Sequence, residues 1–80
     1  MTGGEAYRAK ILTDDALDAA ISAYLADPSG PVVLQIGSKQ LDVTAAVLAH
    51  KWSVDELAVE NANAARRRNA VRTAILLAPV

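Results

Sequence analysis

The residues best placed to do chemistry are arginines. Arg66, Arg67, Arg68 and Arg72 form the densest charge in the chain, and no Asp or Glu follows Glu60 to neutralise them further along. On a helix three successive side chains fan over about 200°, so Arg66, Arg67 and Arg68 do not grip one phosphate together. They remain the candidate phosphate contacts of a nucleic-acid-binding reading, each to its own site on a backbone. Arg68 and Arg72 share a helical face. The same charges also suit a solvated helix C-terminus, or pairing with acids on another element or another chain.

Other reactive residue types lack the company that chemistry needs. His50 has no second His, no Cys and no carboxylate at metal-ligand spacing, and is expected at the surface near a helix C-terminus. Ser53 has no nucleophile-elbow context and is expected as a helix cap. Asp14, Asp15 and Asp18 read as partners of a helix dipole rather than as an acid–base pair. There is no Gly-rich phosphate loop, and with no cysteine there is neither a disulfide nor a thiolate metal site. The chain is therefore expected to be non-enzymatic, with no catalytic residue, cofactor or metal.

These residues hang on elements that the pattern specifies in part. Trp52-Ser53-Val54-Asp55-Glu56-Leu57 reads as a helix start. Ser53 is the N-cap, Glu56 closes a capping box, and Trp52 and Leu57 form a hydrophobic staple. From Val54 to Leu77 no strong stop intervenes, which predicts a helix about 36 Å long at 1.5 Å per residue, with Asn61 and Asn63 as its weak points. Thr44 is expected to cap a short helix running to Lys51. That helix, a Trp52-Ser53 turn and the next helix would make a segment like a helix-turn-helix over 44–72. Asp55, Glu56 and Glu60 at the start of its second helix would repel phosphates.

Earlier in the chain, Thr13 or Asp14 opens a helix whose face carries Leu17, Ala20, Ile21, Tyr24 and Leu25. Asp27-Pro28-Ser29-Gly30-Pro31 ends it. Val32 to Val43 then reads as a β-hairpin about Gly37-Ser38, with Gly37 supplying the positive φ of a type II′ turn. In that register Ile36 faces Lys39, Leu34 faces Leu41 and Val32 faces Val43, while Gln35 meets Gln40 and Val33 meets Asp42 on the other side. Residues 1–4 are expected to be frayed, and 5–12 are either extended or a helical turn.

The 80 residues make one small domain, 52% hydrophobic and 21% charged. A chain this short buries only about 60–65% of its unfolded surface, and much of the apolar content here is Ala, so help from a second chain is expected. The net charge of −1 disfavours a general polyanion binder. No run approaches the ~20 apolar residues of a membrane span. With Glu5, Arg8 and Lys10 where a signal peptide's apolar run would lie, a cytoplasmic location is expected.

In its layout, with a Gly30 break before Val32–Val43 and a helix start at Ser53–Leu57, the stretch from Asp14 to about Asn63 resembles the small head-to-tail joining proteins of lambdoid phages. The Thr44–Lys51 helix and the apolar C-terminus depart from that pattern. The resemblance implies that such a layout can serve assembly.

The sequence thus points to a mostly helical α+β domain in the order helix, β-hairpin, short helix, long C-terminal helix. Its expected role is binding a protein partner or a second copy of itself, as an assembly or regulatory module. The all-round apolar end at Ile75, Leu76 and Leu77 would be the contact, rimmed by Arg68 and Arg72. The alternative is a small nucleic-acid-binding regulator using Arg66–Arg68.

Overall fold

A computed structural model describes residues 2–79. The elements run α1 (Gly3–Arg8), α2 (Asp14–Ala26), β1 (Val33–Ile36), β2 (Lys39–Asp42), α3 (Val43–Ala49), α4 (Lys51–Leu57) and α5 (Ala64–Leu77). The class is the expected mostly helical α+β, and the hairpin, short helix and C-terminal helix follow α2 in the expected order.

The two strands pair antiparallel with Ile36 opposite Lys39, Leu34 opposite Leu41, Gln35 opposite Gln40 and Val33 opposite Asp42, the register the alternation demands. Gly37 sits at φ +59 while Ser38 keeps a negative φ, as a type II′ turn requires. The Val43 amide donates to the Val32 carbonyl at 2.9 Å and closes the ladder. Val32, Leu34, Ile36, Leu41 and Val43 are buried; their strand neighbours Val33, Gln35, Gln40 and Asp42 are exposed.

Helix α2 starts where the sequence places it. The Thr13 hydroxyl accepts from the Ala16 amide at 3.2 Å, and Leu17, Ala20, Ile21 and Tyr24 turn inward. Burial pushes the Tyr24 phenol above its ordinary pKa.

Three expectations need correction. Thr2, Gly3 and Gly4 are folded rather than frayed. Thr2 caps α1 in a capping box with Glu5, and the Gly3 amide donates to the Ala78 carbonyl at 2.9 Å. A Cβ on Gly3 would run into the Ile75 carbonyl, so glycine is what lets α1 lie so close against α5. Helix α1 ends in a Schellman motif: the Ile11 amide donates to Ala6 at 2.9 Å and the Lys10 amide to Tyr7 at 3.1 Å. Lys10 takes the left-handed position, φ +61, that glycine usually fills.

The second correction concerns α3, which begins two residues early. Asp42, not Thr44, is its cap, accepting from the Ala45 amide at 3.1 Å. The Thr44 hydroxyl donates instead to the Gly30 carbonyl at 3.4 Å.

The third concerns the long rod. There is no continuous helix from Val54 to Leu77; α4 stops at Leu57 and α5 begins at Ala64. Asn63 caps α5, accepting from the Arg66 amide at 2.8 Å, and a 2.6 Å ion pair from Arg66 to Glu56 ties the two helices across the break. Folding α5 back lets Ala70, Val71, Ala74 and Ile75 enter the core, which a straight rod would leave in water. Nor does Ser53 start a helix. It lies inside α4, fully buried, and the cap position belongs to His50, which makes no side-chain cap bond. Trp52 is 45% exposed rather than stapled down.

The accessible surface is 4841 Å² and the radius of gyration 11.7 Å. A self-contained protein of this mass has about 4,600 Å² of surface and a radius near 11.6 Å. These values are those of a single chain of this mass, and the length argument for association falls with the rod.

Candidate functional site

The arginines are largely engaged with their own chain. Arg66 pairs with Glu56. The Arg67 Nε donates to the Ala62 carbonyl at 3.3 Å. Arg68 donates to the Ser22 hydroxyl at 2.9 Å and lies 3.6 Å from Asp18. Arg72 stacks over the Tyr7 ring, 5.3 Å from its centroid. Pairing with acids on another element, one of the readings the sequence offered, accounts for Arg66 and Arg68. The joint expected at Trp52-Ser53 is instead the single residue His50, between helices of seven residues each, so 44–72 does not form the expected helix-turn-helix arrangement.

The expected contact surface divides. Ile75 is fully buried in the core and cannot meet a partner. Leu76 is partly buried against that core. Leu77 is 59% exposed. Arg68 and Arg72 face α2 and α1, and Arg72 sits about 140° around the helix from Leu77, so they do not rim it.

Leu77 instead borders a cleft between α3 and α5. Its walls are Ala46, Ala49 and His50 on one side and Ala74, Leu77, Ala78 and Pro79 on the other. The four alanines explain the opening: helices that meet through methyl groups leave room where larger side chains would fill it. The volume is about 130 Å³, enough for one side chain and well below the about 300–1,000 Å³ of small-molecule pockets. The Trp52 ring lies edge-on to the His50 ring, 6.2 Å between centroids.

His50 is held by a bond that sequence reasoning missed. Its Nδ1 lies 2.7 Å from the Ser53 Oγ, and that hydroxyl donates to the Ala70 carbonyl at 2.7 Å. The pair has the residue types of a base and a nucleophile, but the geometry commits them elsewhere. Ser53 has no exposure, and its proton is given to a backbone carbonyl. The arrangement pins α3 and α4 to the middle of α5. The i, i+3 spacing of His50 and Ser53 was the available signal.

A second, larger cleft of about 410 Å³ lies between α1 and α2, lined by Tyr7, Arg8, Lys10, Leu12, Thr13 and Asp14. Three of its polar side chains are engaged within the chain. The Tyr7 hydroxyl donates to Asp14, and Thr13 caps α2. Two cations, Arg8 and Lys10, and one carboxylate, Asp14, line the same hollow.

Among the described residues no group of three or more His, Asp or Glu side chains is placed to hold a metal ion, and no helix is long and apolar enough to cross a membrane. No protein-family model, curated protein or solved structure matches the chain.

Proposed function

We propose that this chain is a small protein-docking module and that the α3–α5 cleft, rather than the tip of α5, is where it docks. The observation that carries the reading is the pairing of an open, methyl-lined socket with an exposed knob, Leu77, on its own lip. A patch that offers both socket and knob is self-complementary, which is what a two-fold interface between identical copies requires. Trp52 beside it supplies the kind of half-exposed aromatic that anchors interfaces. A second copy is therefore the first partner to test. Because each copy closes its own core, the association is reversible rather than obligatory.

Size-exclusion chromatography with light scattering, run from ten micromolar to one millimolar, tests this. The expected result is a mass that rises with concentration toward twice 8.4 kDa. Leu77→Asp should hold the mass at one chain while leaving the circular dichroism unchanged, because that side chain contributes little to the core. A wild-type protein that stays monomeric at one millimolar overturns self-docking.

The competing reading, phosphate contacts through Arg66, Arg67 and Arg68, predicts binding to duplex DNA that falls steeply with salt. The bonds those side chains already make within the chain count against it.

A further inference from the structure

Ala74, Leu77, Ala78 and Pro79 form the α5 wall of the α3–α5 cleft. Past Leu77 that wall is no longer helix. Ala78 is extended, with φ −69 and ψ 138, and Pro79 has no amide to donate. Helix α1 supplies the backbone partners of both. The Gly3 amide donates to the Ala78 carbonyl at 2.9 Å, and Thr2 pairs with Pro79 as an antiparallel bridge. Helix α1 also lies on the turn just before them. A Cβ at Gly3 would overlap the Ile75 carbonyl oxygen, and one at Gly4 would meet that of Leu76 at 3.0 Å. One stretch, Ala74 to Pro79, therefore carries both α1 and the proposed docking face.

Helix α1 has little of its own to hold it there. It has six residues, fewer than the about 12–15 that an isolated helix needs, and Ala6 is its one buried apolar side chain. An element so lightly anchored opens locally before the core does.

Resting on the docking reading above, we infer that α1 gates the docking face: the cleft accepts Leu77 of a second copy only while α1 is seated on the end of α5. Opening α1 takes away the partners of Ala78 and Pro79 and loosens the wall against which that leucine seats. By linkage the reverse holds, and a docked copy keeps α1 seated by the same factor.

Amide hydrogen exchange on the wild-type protein, read beside light scattering from ten micromolar to one millimolar, tests the coupling. In the monomer the Gly3 amide should exchange faster than the hairpin amide of Leu41, because α1 opens by itself. Where about nine-tenths of the chains are paired, Gly3 should slow about tenfold. A Gly3 rate that ignores concentration while the mass doubles overturns the inference and leaves docking standing. So does a Gly3 rate equal to that of Leu41 in the monomer. A wild-type protein that stays monomeric at one millimolar removes docking and the inference with it.

Gly3→Ala is the second test, since Gly3 lies outside the cleft lining. It should release α1 and weaken self-association by about 5- to 150-fold, the usual range for coupled sites. Unweakened association in a variant whose α1 amides have lost protection overturns the coupling. Should that variant unfold or keep α1 protected, the wild-type exchange decides.

Discussion

The α1–α2 and α3–α5 clefts are built on different plans. The α1–α2 hollow is the larger and holds the charged side chains, several of its groups being engaged with their neighbours. Tyr7 donates to Asp14, Thr13 caps α2, and Arg72 covers the Tyr7 ring. The α3–α5 cleft is a third of that size, and apart from His50, which is held by Ser53, its lining side chains are apolar. The contrast teaches that volume is a poor guide to a binding site. Where Tyr7 and Asp14 are already bonded to each other, those two groups have little to gain from a ligand. A small one that leaves Leu77 and a half-buried ring facing water gains from being covered.

The contrast can be broken by substitution. The largest effect is expected at Ser53, where the bond network beneath the apolar cleft is fully buried. Ser53→Ala should cost about 1–3 kcal/mol in urea unfolding, since it strands His50 Nδ1. Next comes Lys10, on the rim of the polar cleft. It holds a left-handed backbone that glycine adopts freely, so Lys10→Gly should stabilise the protein by about 1 kcal/mol. Smallest is Tyr7→Phe, which removes an exposed bond to Asp14 and should cost under about 1 kcal/mol by the same assay. If Tyr7→Phe proved as damaging as Ser53→Ala, the polar cleft would be the rigid, built site and the ranking of the two would reverse.

Legibility followed the range of the forces involved. The hairpin could be read residue by residue, because a period of two with one glycine at the turn allows a single register that buries Leu34, Ile36 and Leu41. Helix α2 could be read because Thr13 and the Pro28–Pro31 break bound it locally. The C-terminal third could not. Ser53 and Glu56 satisfy the local rule for a capping box, but a contact 17 residues away, to Ala70, claims the serine hydroxyl. The break before α5 had a visible cue in Asn63, a strong N-cap, yet nothing local forces it. The force is the burial of Ala70 through Ile75 against the rest of the fold.

Helix α1 was hidden by Gly3 and Gly4, which read as fraying until α5 is there to need them. Of the expected contact residues, Leu77 lies at the surface and Ile75 inside. Neither position was legible, since an all-round apolar helix end does not reveal which side faces inward.

One small feature ties these parts together. Thr2 and Pro79 pair as an isolated antiparallel bridge, and the next amide, Gly3, holds Ala78. The polypeptide is thus clasped like a bracelet, with its fastening on the lip of the apolar cleft. Fraying at one end unhooks the other, and a visitor seated against Pro79 presses on the catch.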